Sequence, residues 1–327
     1  MAILLWLILL VAVIITGLVW FTANTARRVE ALLPPRGQFM EIDGQRIHYV
    51  DTGGTKPAIV MIHGLGGNLL HFGYAMAEKL ANDFRVILVD RPGAGYSTRP
   101  DDAPATLTAQ SKTIATLIRR LELKQPLVVG HSLGGALSLA IALDHPDCAG
   151  ALALLAPLTH AVESAPAVFK GLEIPSPLLR KAVAWTVATP IGIRRGPKLL
   201  AEVFAPEAAP ADFPMRGGGL LGLRPSAFYA TSSDMMAVGD VLPGYVARYK
   251  NLTLPMAMLY GKGDRLLDYR AQGEAMKTVC PALDLELVEG GHMLPMTQAD
   301  RCAALVRRVA ERQRTMRAAC AGAGAHN

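Results

Sequence analysis

The chain has 327 residues, of which 51% are hydrophobic and 18% are charged. This composition argues against an intrinsically disordered protein, and the length allows one large domain or a core domain with an insertion. The net charge is +6, but the arginines are scattered, apart from a group near the C-terminus that has no aromatic residues between its members. We interpret that group as a solvated helix face and expect no nucleic-acid partner.

The N-terminal segment is uncharged from Ala2 to Phe21. About twenty helical residues rise ~30 Å, the hydrocarbon thickness of a bilayer. Trp6 and Trp20 lie near the ends of the segment, where aromatic rings favour the membrane interface. A cleaved signal peptide is the alternative, but such peptides carry basic residues ahead of a shorter apolar run. We therefore predict an uncleaved, single-pass transmembrane anchor over residues 1–22.

A linker is predicted after this anchor, over residues 23–37, because the segment ends in Pro34-Pro35-Arg36-Gly37. Arg27, Arg28 and Arg36 all follow the apolar segment. By the positive-inside rule these charges favour a protein whose remaining chain lies on the cytoplasmic face of the membrane. Folded domains are also exported regardless of a few charges, so the membrane side stays open.

Extended and helical segments alternate through most of the chain. Asp43-Gly44 between two apolar runs predicts a hairpin, and continuous apolar runs predict strands that are buried on both faces. The predicted strands are Gln38–Ile42, Arg46–Val50, Ala58–Ile62, Phe84–Val89, Pro126–Gly130, Ala149–Leu155, Leu254–Tyr260 and Leu283–Val288. Strands that alternate with helices indicate an α/β fold with a mostly parallel sheet and helices on both faces.

The alternation is interrupted between about residues 157 and 251 by a region rich in Pro and Gly. We interpret this region as a helical cap inserted into the sheet domain. The predicted core therefore has a first part over 38–156 and a second part over 252–314, with the cap over 157–251 between them. Residues 318–327 are mostly small or polar, and we predict that residues 315–327 form a disordered tail.

The four cysteines are not arranged as a metal site. Cys148, Cys280, Cys302 and Cys320 form no C-x-x-C pair and have no metal-ligand spacing with a histidine. A disulfide framework is not expected in a chain of this size. We interpret the cysteines as free thiols, although sequence alone leaves one pairing open.

The sequence Gly130-His131-Ser132-Leu133-Gly134 fits the pattern G-x-S-x-G and lies between a predicted strand and a predicted helix. A sharp strand-to-helix turn exposes a serine hydroxyl, and glycines beside it avoid collisions with the neighbouring strand and helix. An ordinary turn that happens to contain Ser and Gly is the alternative. The position favours Ser132 as a catalytic nucleophile.

A serine hydroxyl needs a base to take its proton, and the base needs an acid to hold it in the correct tautomer. His292 directly follows the last predicted strand and is the predicted base, whereas His160, just beyond another strand, is its rival. Asp264 follows the strand Leu254–Tyr260 and is the predicted acid, with Asp268 as the alternative. The chain order Ser, Asp, His is typical of hydrolases built on a parallel sheet.

An oxyanion requires backbone N–H donors that are in place before the reaction. One is predicted at Leu133, directly after the nucleophile. The other is predicted at Leu65 in the loop His63–Gly67, with Gly66 as the second choice. A phosphate-binding loop is the alternative for this glycine-rich segment, but the sequence has no G-x-x-x-x-G-K-[ST] pattern.

Taken together, H-G-x-G-G, the turn Asp90–Ser97, G-H-S-L-G-G, G-x-x-D and G-G-H resemble the α/β-hydrolase superfamily from about Gln38 to Arg314, except in the cap. The resemblance implies an α/β-hydrolase fold, a triad of Ser132, Asp264 and His292, and a cap that shapes the substrate pocket. The turn Asp90–Ser97 is similar to that of epoxide hydrolases and haloalkane dehalogenases. Those enzymes place Asp where this chain has Ser132, which argues against both activities.

These residues predict acyl transfer through an acyl-enzyme on Ser132, with no metal or organic cofactor. The anchor and the apolar cap resemble those of membrane-anchored bacterial esterases and lipases, which implies a small-molecule or lipid ester as the substrate. A carbon–carbon bond hydrolase of the meta-cleavage type and a cofactor-free perhydrolase use the same triad and stay open. A non-catalytic, membrane-tethered binding protein would not need a complete triad.

Overall fold

One sheet of eight strands forms the centre of the protein. The computed structural model describes residues 1–162 and 166–324. The strands are β1 (Gln38–Ile42), β2 (Gln45–Asp51), β3 (Ala58–Ile62), β4 (Arg85–Val89), β5 (Leu127–His131), β6 (Ala151–Leu155), β7 (Met256–Gly261) and β8 (Asp284–Val288). Every residue of β5, β6 and β7 is buried, because these continuous apolar strands are covered on both faces.

The strand order in the sheet is β1-β2-β4-β3-β5-β6-β7-β8. β2 is antiparallel to β1 and to β4, and every other pairing is parallel. β1 and β2 are joined at Asp43 and Gly44, whose φ angles of +48° and +75° are those that a tight hairpin turn requires. The predicted hairpin and the predicted mostly parallel sheet are confirmed.

Helices flank the sheet and form the insertion. In chain order they are α1 (Ala2–Leu32), α2 (Leu70–Gly73), α3 (Met76–Ala81), α4 (Leu107–Arg120), α5 (Leu133–Asp144), α6 (Pro177–Trp185), α7 (Ala188–Phe204), α8 (Phe213–Arg216), α9 (Pro225–Val246), α10 (Ala275–Val279), α11 (Leu294–Thr297) and α12 (Ala299–Gly324). α3 packs with α12 on one face of the sheet, and α4 packs with α5 on the other. This arrangement follows from right-handed crossovers between parallel strands.

The insertion between β6 and β7 contains α6 to α9 and corresponds to the predicted cap, of which residues 163–165 lie outside the described residues. α9 is 22 residues long and packs on α4, α5, α6 and α7. This helix is not predictable from its local sequence. Gly239, Pro243 and Gly244 are poor helix formers in its last two turns, and they conceal the helical pattern. Tertiary packing overrides these local preferences.

The N-terminal helix α1 continues well beyond the predicted anchor. It ends at Leu32, so the predicted linker over 23–37 is wrong for its first ten residues. The reason is local, because no Gly or Pro occurs between residue 22 and Pro34 and the segment is rich in good helix formers. Within the described residues, α1 is the one helix whose length and apolar composition would allow it to cross a membrane. Its most apolar stretch of 18 residues is not buried in the protein.

The C-terminal helix α12 also extends beyond its predicted end. It runs to Gly324, so the predicted disordered tail is wrong as far as that residue, and residues 325–327 lie outside the described part. The segment is rich in alanine, the best helix former. Gln313 and Arg317 also donate hydrogen bonds to the Gln125 carbonyl oxygen, which ties this part of the helix to the core.

Candidate active site

Ser132 lies at the turn between β5 and α5, where its backbone has φ +54° and ψ −122°. L-residues rarely adopt this conformation, so the surrounding structure must hold it. The Ser132 N–H donates to the Leu155 carbonyl oxygen on β6 over 3.1 Å, and the Ser132 carbonyl oxygen accepts from the N–H groups of Gly135 and Leu158 over 2.8 and 3.0 Å. These bonds stabilise the strained turn and place the half-buried Ser132 side chain at the carboxyl edge of the sheet.

The two glycines of the G-x-S-x-G pattern permit close backbone approaches. A Cβ atom at Gly134 would lie 2.0 Å from the Ile62 carbonyl oxygen on β3, and one at Gly130 would lie 2.4 Å from the Gly134 carbonyl oxygen. Real Cβ atoms essentially never come this close to backbone atoms. Helix α5 therefore packs against the sheet at a distance that only glycine allows, and this packing forms the sharp turn at Ser132.

His292 and Asp264 lie together at the same edge of the sheet, after β8 and β7 respectively. The distance from His292 Nδ1 to Asp264 Oδ2 is 2.7 Å, and the two side chains are 5% and 0% exposed. Asp264 Oδ1 accepts the N–H groups of Leu266 and Leu267 over 2.8 and 3.0 Å. Because both carboxylate oxygens have partners, the Asp264 side chain is fixed and directs His292 Nε2 away from itself.

His131 connects His292 to the Ser132 turn. The rings of His131 and His292 lie 4.8 Å apart between centroids, and His131 Nε2 is 3.0 Å from the His292 carbonyl oxygen. Burial lowers the pKa of His131 well below its ordinary value, so its ring is neutral and its Nε2–H donates to that carbonyl. The Ser132 hydroxyl itself forms no hydrogen bond among the described residues. Catalytic hydrogen bonds often tighten only in the substrate complex.

The two alternative residues for these roles lie in other surroundings. Asp268 is exposed and its Oδ1 accepts the Arg270 N–H over 2.9 Å, so it does not contact His292. His160 Nδ1 lies 2.8 Å from Thr159 Oγ1, and the His160 N–H donates to the Gln272 side chain over 2.9 Å. Across the described residues His160 pairs with no carboxylate, whereas His292 does.

The loop after β3 lies directly beside Ser132. A Cβ atom at Gly64 would lie 2.8 Å from Ser132 Cβ. The Gly64 carbonyl oxygen accepts from Arg91 Nη2 over 3.1 Å and from the Gly67 N–H over 3.3 Å, and it lies 2.9 Å from His63 Nδ1. In a trans peptide the next N–H, that of Leu65, points opposite to this carbonyl. Within the described part of the chain, neither the Leu65 N–H nor the Leu133 N–H donates to another group.

Arg91, in the turn Asp90–Ser97, is a positioning residue for the loop beside Ser132. Its guanidinium is 1% exposed and donates to the carbonyl oxygens of His63 and Gly64, each over 3.1 Å. It also forms a 2.6 Å ion pair with Asp234 on α9, and Asp234 pairs with Arg99 over 2.7 Å. Arg91 therefore joins the loop beside Ser132 to the longest helix of the cap. Its place directly after Asp90 at a strand end was the available sequence signal.

His63 supports the same loop as a neutral ring. Its Nε2 accepts the Arg91 N–H over 3.1 Å, so the ring proton lies on Nδ1 and is donated to the Gly64 carbonyl. Burial and the Arg91 charge lower the pKa of His63 well below its ordinary value. The tautomer is thus fixed by two backbone contacts, and the ring contributes to the shape of the loop without carrying charge.

An apolar cluster of cap and core residues lies next to His292. Its members are Phe204, Phe213, Met293 and Met296, all buried. The rings of Phe204 and Phe213, from α7 and α8 of the cap, meet edge to face at 5.1 Å between centroids. Met293 directly follows His292 in the chain. The chain directly after His292 therefore packs into an apolar cluster that is formed partly by the cap.

The four cysteines are free thiols. Cys148, Cys280 and Cys302 are buried, Cys320 is exposed, and none of the four is in a disulfide. Among the described residues, no group of three or more His, Cys, Asp or Glu side chains is arranged to hold a metal ion.

A family model of the α/β-hydrolase fold matches residues 57–299, which is more than half of the chain. The chain belongs to the α/β-hydrolase family. Among curated relatives, the dihydrolipoyllysine-residue acetyltransferase component of the acetoin cleaving system of Cupriavidus necator is 33% identical over 121 residues. The match covers 37% of this chain and 32% of that protein, so the chain spans about a third of that relative's length.

Solved α/β-hydrolase structures superpose over most of the chain. A putative lipase from Acinetobacter baumannii has a TM-score of 0.68 at 18% identity and covers 90% of this chain and 97% of its own. A membrane phospholipase A, described as a bacterial virulence factor, has a TM-score of 0.67 at 23% identity and covers 94% of this chain and 98% of its own. At these identities the likeness shows the α/β-hydrolase fold, and the predicted fold class is confirmed.

Proposed function

We propose that this α/β-hydrolase is a serine carboxylic ester hydrolase with Ser132 as nucleophile, His292 as base and Asp264 as the acid that orients it. The observation that carries the proposal is the buried 2.7 Å contact between His292 and Asp264 at the edge of the sheet where the strained turn presents Ser132. A neutral imidazole held at Nδ1 by a carboxylate has its Nε2 lone pair available to take a proton.

In the acylation step, Ser132 Oγ attacks the ester carbonyl carbon while its proton passes to His292 Nε2. The negative charge that develops on the carbonyl oxygen is stabilised by the N–H groups of Leu65 and Leu133. The Arg91 contacts to the loop carbonyls support this role, because they fix the peptide whose N–H belongs to Leu65. The imidazolium of His292 then protonates the leaving alcohol, and an acyl-enzyme on Ser132 remains.

In the deacylation step, His292 takes a proton from a water molecule, which attacks the acyl carbon. The same two N–H groups stabilise the second oxyanion, and its collapse returns the proton to Ser132 and releases the carboxylic acid. The Asp264 carboxylate stabilises the positive charge that forms on His292. Each step uses water and groups of the chain itself.

A fluorophosphonate probe tests the nucleophile. The full-length chain in detergent should be labelled, and Ser132→Ala should abolish the labelling. Ser138→Ala is the matched control, since Ser138 lies further along α5 with its hydroxyl donating to the Gly134 carbonyl. A folded chain that takes no label, or a Ser132→Ala variant that is still labelled, would overturn the proposal.

Lipid-like esters are the proposed substrates. Support comes from the apolar cluster beside His292 and from α1, which is apolar and long enough to cross a membrane. Two of the similar structures are described as a lipase and a phospholipase, which also supports a lipid ester as the substrate. Hydrolysis of p-nitrophenyl esters should become faster from short to long acyl chains, and phospholipid should be cleaved. Activity on none of these esters, together with cleavage of a vinylogous 1,5-diketone, would favour the carbon–carbon bond hydrolase instead.

We also propose that α1 anchors the chain in a membrane through residues 2–21, with the catalytic domain on the cytoplasmic side. The uncharged sequence of this segment, its exposure and the arginines that follow it support the proposal. Full-length protein should sediment with membranes after a carbonate wash, whereas a chain that lacks residues 2–21 should not. If the protein recovered from cells that express the whole chain has lost the apolar segment, as shown by its reduced mass, the segment is a signal peptide instead.

A further inference from the structure

The first two helices of the cap expose an unusual number of large apolar side chains. They lie on α6, on the turn that follows it and on α7, and we call them the cap face. The cap face consists of Leu178 (82% exposed), Leu179 (55%), Trp185 (41%), Val187 (37%), Ile191 (47%) and Ile193 (47%). Single exposed apolar residues are ordinary on protein surfaces, but six of them between residues 178 and 193 indicate an interaction surface.

The cap face lies beside α1. Thr22 is buried, and its hydroxyl donates to the Thr186 carbonyl oxygen over 3.3 Å, in the turn between α6 and α7. A cleft of about 580 Å³ follows along α1, with Ala23 and Ala26 on the helix side and Trp185 on the cap side. The cap face is therefore held next to the part of α1 that directly follows the uncharged segment.

This contact fixes the depth of the cap face relative to a bilayer. If residues 2–21 span the hydrocarbon layer, Thr22 lies at its boundary, and Ala26 lies ~6 Å further out at 1.5 Å per residue. Thr186 is bonded to Thr22, so the turn between α6 and α7 lies at the same boundary. Apolar side chains on both sides of that turn would otherwise face water at the membrane surface.

Basic residues border the cap face. Arg194, Arg195 and Lys198 follow its apolar part on α7 and are exposed, and none of them forms an ion pair with a residue that the structure describes. Arg27 and Arg28 are exposed at the corresponding level of α1. Apolar side chains next to unpaired cations are the pattern of a helix that lies in the interface of an anionic membrane.

We propose that the cap face inserts into the headgroup region of the same bilayer that α1 spans, and that anionic lipids are its partner. The proposal rests on the proposed anchor and adds a second membrane contact to it. α6 and α7 would lie along the membrane, with Trp185 at the interface and the three α7 cations on lipid phosphates. Because α7 ends at Phe204 in the apolar cluster beside His292, this contact brings that side of the site close to the lipid.

Tryptophan quenching tests the proposal, because the chain has three tryptophans, Trp6, Trp20 and Trp185. The full-length chain with Trp6→Phe and Trp20→Phe reports only on the cap face, and the chain with Trp6→Phe and Trp185→Phe reports only on the anchor. Both are reconstituted in vesicles of phosphatidylglycerol and phosphatidylcholine that contain brominated phospholipids. We expect both tryptophans to be quenched, Trp185 most strongly by bromines placed nearest the headgroup.

The two reporters separate the possible failures. Quenching of Trp20 without quenching of Trp185 would overturn the cap-face proposal and leave the anchor intact. Quenching of neither would overturn the anchor and the cap-face proposal together. If the cap face instead binds a second copy of the chain, Trp185 would stay unquenched while a chemical cross-linker joins two chains, which also contradicts the proposal.

A pair of variants tests the consequence for activity. Leu178→Glu with Ile191→Glu should lower the hydrolysis rate of vesicle phospholipid about tenfold, because charged side chains no longer enter the interface. The rate on a short, water-soluble ester should not change. Val279→Glu is the matched control, since Val279 is 38% exposed on α10 and lies outside the cap. Equal losses on both substrates would indicate a folding defect and would contradict the proposed role.

Discussion

Replacement of Asp264 by Asn is the most informative change to the site, because the structure determines how the new amide orients. Asp264 Oδ1 accepts two backbone N–H groups, and Oδ2 accepts the proton of His292 Nδ1. In the Asp264→Asn variant the side-chain carbonyl oxygen must stay with the two backbone donors, so the new NH₂ group faces His292. That group donates to Nδ1, which forces the imidazole proton onto Nε2, where it blocks proton transfer from Ser132.

The expected loss follows from this change of tautomer. An equivalent exchange in a serine protease lowers kcat by about 10⁴-fold, which corresponds to ~5.5 kcal/mol of transition-state stabilisation. We expect a loss of this order in kcat on p-nitrophenyl esters, with little change in KM and a matching loss in the rate of fluorophosphonate labelling. Circular dichroism should show an unchanged fold, because the volume and the hydrogen bonds to the backbone are kept.

Asp268→Asn is the matched control, since Asp268 is exposed and bonded to Arg270 in the same loop. It should keep nearly full activity. The expected loss of transition-state stabilisation in Asp264→Asn is ~5.5 kcal/mol, or about 10⁴-fold in kcat. If Asp264→Asn retains more than about a tenth of the wild-type kcat, the tautomer argument is refuted. The same conclusion follows if Asp268→Asn causes the larger loss.

Three further changes test the surrounding structure. Gly134→Ala should abolish folded, active protein, because its Cβ would lie 2.0 Å from a carbonyl oxygen of β3, whereas Gly222→Ala, with open space at its Cβ, should be neutral in expression and activity. Asp234→Asn should lower the free energy of unfolding by about 3–5 kcal/mol, since it leaves two buried arginines unpaired, and an unchanged melting temperature in detergent would contradict this. The protein should lose stability as the pH falls below about 6.5, because unfolding lets His63 and His131 bind protons that their lowered pKa values prevent in the folded state. Each contributes up to about 1.4 kcal/mol per pH unit, and a melting temperature that is equal at pH 7 and pH 5 would count against it.

The strands and the candidate catalytic residues were predictable because both depend on local sequence. All eight strands were predicted within a few residues, since buried parallel strands are short apolar runs bounded by turn residues. Ser132, Asp264 and His292 each follow such a run. The topology of parallel strands then brings strand ends together at one edge of the sheet, so a position after a strand is already a prediction of proximity.

The cap and the helix ends were harder to predict because their structure depends on distant contacts. α9 forms despite Pro243 near its end, and its buried Asp234 meets Arg91, which is 143 residues away in the chain. Nothing in the local sequence marks that pair. The errors at α1 and α12 were of another kind, because the apolar pattern ends in each case before the helix does. Helix propensity continues α1 to Leu32, just before Pro34, and it favours the extension of α12 through its alanine-rich segment to Gly324.

The Arg91–Asp234 pair connects the cap to the loop beside Ser132. Arg91 holds the carbonyl oxygens of the loop that carries the Leu65 N–H, and Asp234 holds Arg91 from α9. A displacement of α9 would therefore release one of the two proposed oxyanion donors, although α9 contributes no group to the reaction itself. The Arg91–Asp234 pair acts on this loop directly and does not depend on the membrane contact, so Asp234→Asn should lower kcat on soluble esters as well as on lipid.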